Sequence, residues 1–142
     1  MAVTAAATDI GFLTVFGKVV GNVFTAFAEV TDLNLPELSR DSKEFTHFGS
    51  PDGYREFKPG LSDAGEASLT YNLIPGLADD AVIAAHLATK AVEAWRVQFP
   101  NGAKLDFNGF ATKHGRATPM EDKMTGSATF KVSGKPTLTP AA

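Results

Sequence analysis

The sequence contains no cysteine among its 142 residues, which excludes disulfides, cysteine nucleophiles and cysteine-ligated metals. It also lacks an excess of basic residues, since 13 Lys and Arg stand against 16 Asp and Glu. A chain without a basic surface is not expected to hold nucleic acid through its phosphates. No apolar run reaches the roughly 18 residues that a membrane-spanning helix requires, and residues 1–12 lack the basic start of a signal peptide. We therefore expect a soluble protein with no visible export signal.

Motifs that carry catalysis or bind a metal are absent from the sequence as well. His47, His86 and His114 are scattered and show no spacing typical of metal ligands. Gly134-Lys135 lacks the upstream glycine and the following Ser or Thr of a phosphate-binding loop, and Asp79-Asp80 is more typical of a helix start than of an acid/base pair. Residue order alone does not test for a Ser/His/Asp triad. We predict no catalytic residue, no metal site and no cofactor.

The composition that is present is typical of one folded domain, with 44% hydrophobic and 20% charged residues. Apolar and β-branched residues fill positions 12–16 and 23–30, and the Gly21-Asn22 step between them predicts a hairpin. Both faces of that hairpin are largely apolar, so one face would be covered by another element or subunit. We expect a single domain over 1–142, with an N-terminal arm at 1–9 and a C-terminal tail at 135–142.

The stretch from residue 50 to residue 76 organises the rest of the chain. It holds three turn signals that combine Pro with Gly, followed by an alternating strand over 66–73. The loop at 47–62 is long for a compact domain and carries aromatic and charged residues, so we expect it to become ordered on assembly against a neighbouring subunit. The residues proposed for this contact combine aromatic anchors with rim charges: Tyr54, Arg55, Glu56, Phe57 and Lys58.

One helix and several further strands are predicted after this stretch. Asp79 and Asp80 would begin a helix that ends near residue 91. Its apolar face would pack on the sheet through Val82, Ile83 and Leu87. Residues 93–99 alternate as a strand, with Trp95 and Val97 facing the core.

The sequence after residue 100 predicts two more strands. Residues 104–113 should form one of them, with a β-bulge at 108–109 because Phe110 breaks the alternation of Leu105 and Phe107. The last strand should cover 125–133. The predicted class is α+β and mainly β: an antiparallel sandwich or barrel with one short helix packed on its flank.

Several segments resemble the tail tube proteins of long-tailed bacteriophages in their order and spacing. The resemblance rests mainly on VTDLNLPELSRDSKEFTHF at 30–48 and SPDGYREFKPGLSDAGE at 50–66. It continues through WRVQFPNG at 95–102, FNGFAT at 107–112 and VSGKPT at 132–137. It implies a structural virion protein, assembled in the host cytoplasm, whose hexameric rings stack into the tail tube and whose sheets join across subunits. The implied partners are further copies of itself, the tape measure protein, the tail terminator, tail-tip or baseplate proteins, and double-stranded DNA that passes without specific binding.

A tube that conducts DNA should not attract phosphates, so its inner wall should carry few clustered Lys or Arg. Two strands have a polar face made mostly of small neutral residues, and we expect one or both to line the lumen: Glu66, Ser68, Thr70 and Asn72, and Thr125, Ser127, Thr129 and Lys131. Alternation alone leaves open that these faces meet bulk water outside a ring. Two other classes also remain open: a monomeric ligand-binding or carbohydrate-binding sandwich, and a secretion-system tube protein of related fold.

Overall fold

The computed structural model of the chain describes residues 13–76 and 78–140, so the arm expected at 1–9 lies outside the described residues. The described residues form nine strands, one α-helix and a short 3-10 helix. In chain order these are β1 (Val15–Val20), β2 (Val23–Ala26), β3 (Val30–Asn34), β4 (Ser39–Glu44), the 3-10 helix (Pro51–Gly53), β5 (Phe57–Asp63), β6 (Glu66–Asn72), α1 (Ala78–Thr89), β7 (Glu93–Gln98), β8 (Lys104–Ala117) and β9 (Thr125–Thr139).

Seven strands form one antiparallel sheet in the order β2-β1-β7-β8-β9-β6-β3, and β4 pairs with β5 in a separate two-stranded sheet. The hairpin predicted near the N-terminus is β1–β2. Its turn lies at Gly21 and Asn22, where φ is 55° and 67° as the tight turns of such hairpins require. The predicted class, mainly antiparallel β with one short helix, is confirmed.

The seven-stranded sheet folds over on itself and encloses the core. Phe16 on β1 and Phe130 on β9 lie three strands apart in the sheet, which would separate them by about 14 Å if it were flat. Their ring centroids are 5.7 Å apart. Register shifts between β8 and β9, near residues 106–108 and 111–113, accompany this bend, since bulges increase local twist. One curved sheet therefore supplies both layers of the sandwich.

Aromatic side chains fill the space between the two layers. Trp95 is fully buried, stacks on Phe16 with centroids 5.7 Å apart, and meets Phe130 at 4.6 Å. Its indole Nε1 donates to the Gly109 carbonyl at 3.2 Å. Val97 is fully buried beside it, so the predicted inward face of β7 is confirmed.

Two glycines allow the strands to approach closely around this core. A Cβ on Gly109 would lie 2.6 Å from the Lys131 carbonyl, and a Cβ on Gly126 would lie 2.3 Å from the Tyr71 ring. Gly109 faces the core between Phe107 and Ala111, so Phe110 points to the other face and does not break the alternation. The bulge expected at 108–109 instead appears as register shifts on either side of it.

Helix α1 packs on the flank of the sheet with one narrow face. Ile83 is fully buried and Val82 is partly buried, as predicted. His86, one turn after Ile83, is 2% exposed and takes the core position, while Leu87 is 39% exposed. Leu87 therefore does not join the core of its own chain, because its direction on the helix is about 100° away from that of His86. Among the described residues, no helix is long and apolar enough to cross a membrane.

Strands β5 and β9 both contain a proline in a stretch that the sequence predicted to be irregular, the loop at 47–62 and the tail at 135–142. Pro59 and Gly60 lie inside β5, where the register against β4 shifts. Strand β9 continues past Gly134, with φ of 84°, and past Pro136 to Thr139. Residues 135–139 are thus strand rather than tail. Pro136 is tolerated because it lies in the unpaired stretch between Ser133 and Thr137. Pro59 pairs with Ser42 next to the register shift and is tolerated because β5 has only one strand neighbour among the described residues.

We predict that two substitutions on α1 differ in their effect on the free energy of unfolding. Ile83→Ala should cost about 2–5 kcal/mol because the side chain is fully buried. Leu87→Ala should cost less than about 1 kcal/mol in the isolated chain because the side chain lies outside the core and is 39% exposed. Denaturant titration of the unassembled protein measures both, and equal losses would show that the helix packs differently.

Candidate functional site

The two polar faces predicted from sequence lie next to each other in the sheet. Strands β6 and β9 pair in a register that sets the eight residues directly opposite one another: Glu66 to Lys131, Ser68 to Thr129, Thr70 to Ser127 and Asn72 to Thr125. Directly opposed residues share a face of the sheet. The alternate residues, such as Leu69 and Ala128, are buried. These eight residues, the polar face, therefore form one continuous surface on the back of the core.

The neighbouring strands widen the polar face on both sides. On β3, Asp32 lies opposite Thr70 and Asn34 opposite Ser68, and the Asn34 side chain donates to Ser68 Oγ at 3.2 Å. On β8, Phe110 lies opposite Lys131 and Lys113 opposite Thr129. Sequence reasoning missed these residues because neither strand shows a clean polar alternation.

The four strands that carry the polar face end in two free edges. Strand β3 pairs only with β6 among the described residues. Strand β8 pairs with β7 only as far as Gly109, so residues 110–117 have a strand neighbour on the β9 side alone, although the Ala111 N–H already donates to His86 of α1. An unpaired edge offers a row of backbone donors and acceptors to another strand. Both edges of this four-strand section, β3 and residues 110–117 of β8, can therefore pair with a strand of another chain.

The hairpin β4–β5 projects from the sheet with nearly every residue exposed. From here on, "the arm" means this hairpin and not the N-terminal segment 1–9. Its tip, residues 45–56, is held by its own hydrogen bonds, including Glu56 N–H to Thr46 Oγ1 at 2.8 Å and Ser50 Oγ to Glu56 Oε2 at 2.8 Å. These hydrogen bonds join residues of one chain, and the expected ordering of the tip on assembly stays a prediction. Residues 57–62 of the expected loop belong to β5.

The arm exposes several large apolar side chains. Phe48 is fully exposed, and Tyr54 and Phe57 are 73% and 54% exposed. Arg55, Glu56 and Lys58 lie among them and are exposed as well. Contiguous exposed apolar residues rimmed by charges are typical of contact surfaces. The role proposed for these residues in a subunit contact stays a prediction.

A buried polar cluster joins α1 to the end of β8. Both oxygens of Asp80 accept hydrogen bonds from Arg116, at 2.9 and 3.0 Å. Tyr71 Oη donates to Asp80 Oδ1 at 3.2 Å and lies 2.7 Å from His114 Nε2. Because a hydroxyl has one hydrogen, both contacts are satisfied when His114 donates from Nε2 and Tyr71 donates to Asp80. Sequence reasoning placed His114 and Arg116 in a loop; their spacing of two residues was the only signal of a strand.

The environment of this cluster shifts three pKa values. The hydrogen bonds from Arg116 hold the pKa of Asp80 below its ordinary 3.8. Burial lowers the pKa of His114 below 6.5, and the adjacent Arg116 charge adds to this. Burial, with the nearby Asp80 charge, raises the pKa of Tyr71 to about 12. The cluster is thus an ion pair with two neutral partners near pH 7.

A second polar pair fixes the other end of α1. The Ala111 backbone donates to His86 Nε2 at 2.9 Å, so His86 carries its hydrogen on Nδ1 and donates it to Glu93 at 2.8 Å. Glu93 also pairs with Lys18. Burial raises the pKa of Glu93, but the hydrogen bonds from Lys18 and His86 outweigh it and lower the pKa. Both polar groups hold the helix in place, and no cluster of metal-ligating residues occurs in the described part of the chain.

The family comparison decides what this arrangement belongs to. The family model for lambda phage tail tube proteins matches residues 11–139. The chain belongs to the lambda phage tail tube protein family. No curated protein matches the chain at a significant level. The resemblance seen in the sequence is confirmed, and a structural role in a tail tube follows from it.

Solved structures share the fold of this tail tube protein at low sequence identity. A tail of an empty gene transfer agent particle with C6 symmetry is 15% identical, covers 94% of this chain and all of its own, and superposes with a TM-score of 0.76. The tube-terminating cap of an anti-feeding prophage is 11% identical, with 99% and 97% covered and a TM-score of 0.75. The SPP1 tail tube is 14% identical, with 89% and 74% covered and a TM-score of 0.58.

We predict that the tail tube protein loses stability in two steps as the pH is lowered. Below pH 6.5 the unfolded chain takes up a proton at His114 that the folded chain resists, so stability falls. The contribution of Asp80 is complete above pH 3.8 and is lost as the pH falls through its lower folded pKa. His114→Gln should remove the first step in denaturant titrations at several pH values. His47→Gln, at an exposed site, is the control, and an unchanged first step in His114→Gln would contradict the assignment.

Proposed function

We propose that six copies of this chain form a ring and that the rings stack into a tube whose inner wall is the polar face, through which double-stranded DNA passes during ejection. The observation that carries the proposal is the β6–β9 register, which joins eight mostly small, polar residues into one surface backed by the core. The C6 symmetry of the gene transfer agent tail supports the number of copies. The role of tail tube proteins is structural, so we propose that the chain is not an enzyme.

The free edges explain how such a ring would close. Strands β8, β9, β6 and β3 alternate in direction, so β3 of one copy would run antiparallel to residues 110–117 of the next. Six copies would then give a closed barrel of 24 strands, and closure removes the two free edges described above. Strands about 4.8 Å apart make such a circle roughly 37 Å across, and wider when tilted, which admits a DNA duplex.

The composition of the polar face suits the passage of DNA. Six of its eight residues are neutral, and Glu66 and Lys131 have opposite charges. Each free cation near a phosphate adds a salt-dependent attraction, so a nearly neutral wall slows the DNA least. The polar face of a monomeric carbohydrate-binding module would instead need a preformed pocket with stacking aromatic residues. The family match over residues 11–139 also favours the tube.

The tail proteins that such a tube would contact are part of the proposal. We expect it to enclose a tape measure protein and to meet a tail terminator at one end and tail-tip or baseplate proteins at the other. The fold that this chain shares with a tube-terminating cap structure supports the terminator contact. The chain would be part of the virion tail after assembly in the host cytoplasm.

We predict that charge on the two free edges controls ring closure. Lys113 lies beside the polar face on β8, opposite Thr129, and Asp32 lies beside it on β3, opposite Thr70. Lys113→Glu should weaken ring formation, because it replaces an exposed ion pair of about 0.2–1 kcal/mol by repulsion at six seams. Combining it with Asp32→Lys should restore rings. Sedimentation and negative-stain microscopy of concentrated protein measure ring and tube formation.

Lys123→Glu makes the same charge change in the β8–β9 loop and is the control for Lys113→Glu. Wild-type protein that stays monomeric at high concentration would overturn the proposed function. Wild-type rings that are indifferent to Lys113→Glu would show that the rings close through other edges.

We also propose that the arm reaches the adjacent ring, because its tip is held together by its own hydrogen bonds and its apolar residues are uncovered in the single chain. Phe48→Ser combined with Tyr54→Ser should leave the monomer as stable as wild type but prevent rings from stacking. Met120→Ser, at an exposed position in the β8–β9 loop, removes apolar surface elsewhere as a control. Microscopy measures tube length, and tubes of normal length from the double variant would contradict this role.

A further inference from the structure

Lys131 is the one positively charged residue of the polar face, so it is the residue that would attract DNA if that face lines a tube. It lies opposite Glu66 on one side and opposite Phe110 on the other, well within the four-strand section. In a ring it would recur six times around the lumen and again in every ring. A free ammonium group at each position would attract the phosphates of passing DNA.

The structure does not leave this ammonium group free. Lys131 Nζ lies 3.1 Å from Asp63 Oδ1 and 3.2 Å from Asp63 Oδ2. Asp63 ends β5, and its Oδ1 also accepts the Gly65 backbone N–H at 2.9 Å. Gly65 has φ of 74°, the left-handed conformation that glycine favours. The turn between β5 and β6 thus holds the carboxylate over Lys131.

Stability does not account for this ion pair. The side chains of Lys131 and Asp63 are 35% and 60% exposed, and exposed ion pairs contribute little to folding. The Gly65 N–H and then Lys131 hold the pKa of Asp63 below 3.8, so the carboxylate is ionised at neutral pH. What the pair does change is the net charge that the polar face presents at Lys131.

We propose that Asp63 neutralises Lys131 on the inner wall of the tube and so prevents the wall from retaining DNA. This inference rests on the proposed function, because it requires the polar face to line the lumen. Asp63 lies outside the polar face as the sequence defined it, at the end of the arm. The arm would therefore serve two purposes, one at its tip and one at its base.

Three variants separate the parts of this proposal. Asp63→Asn removes the charge, and the new amide oxygen can still accept the Gly65 N–H, so the turn is kept. Asp63→Asn combined with Lys131→Met removes the ammonium group as well. Glu66→Gln makes the same charge change beside the same lysine, yet only the Asp63 carboxylate is within ion-pair distance of Lys131 in the described residues.

The test measures how much DNA assembled tubes retain when they are pelleted at different salt concentrations. A short linear duplex can enter a tube, whereas a covalently closed circle can bind only outside it. Tubes of Asp63→Asn should retain the linear duplex and not the circle. If two lysines contact phosphates at once, retention should fall about tenfold between 50 and 200 mM salt. Wild type, Glu66→Gln and the Asp63→Asn, Lys131→Met double variant should retain much less.

Tubes carrying Ser68→Lys and Thr70→Lys distinguish failure of this inference from failure of the proposed function. If these tubes retain the linear duplex but Asp63→Asn does not, the lumen assignment stands and the neutralising role of Asp63 is overturned. The role is also overturned if the double variant retains as much DNA as Asp63→Asn. If the lysine tubes retain circles as well as linear DNA, or retain neither, the polar face does not line the lumen and both proposals fail.

Discussion

The antiparallel pairing of β6 with β9 is the interaction on which the rest of the structure depends. Its register sets Ser68 opposite Thr129 and, one residue along, buries Leu69 against Ala128. A shift of one residue in either strand would bury hydroxyl groups and expose core side chains, so the hydrophobic effect strongly specifies this register. The core and the proposed inner wall are therefore two faces of the same pairing.

The close approach of Tyr71 to Gly126 extends this pairing toward the helix. Because Gly126 has no side chain, the Tyr71 ring crosses β9 and brings its hydroxyl group to Asp80 and His114. Asp80 in turn binds Arg116 near the free end of β8. The helix, which contributes Ile83 and His86 to the core, thus also holds in position the strand edge at which rings are proposed to close.

Charge on the proposed wall is balanced locally rather than avoided. Lys131 is matched by Asp63, the last residue of β5 in the arm, and Lys113 lies on an edge that would meet an acidic edge of the next copy. A wall whose lysines are neutralised remains polar and wet but attracts DNA weakly. Because a carboxylate from a neighbouring strand neutralises the lysine, a strand that contains a lysine can still form part of a wall that does not bind phosphate.

Local patterns in the sequence determined the alternating faces of β6, β7 and β9, the turn at Gly21-Asn22 and the start of α1, because each depends on residues close together in the chain. The family resemblance could be seen in the sequence for the same reason, because it rests on short segments that follow one another in a fixed order along the chain. Only the tertiary structure decided that β6 and β9 are neighbours and that Pro59 and Pro136 lie inside strands, next to and within a register shift respectively. It also decided that His86 rather than Leu87 is buried and that Asp63 contacts Lys131, a residue 68 positions away. Strand order, register and charge pairing of this kind are set by contacts between distant parts of the chain, which no local pattern encodes.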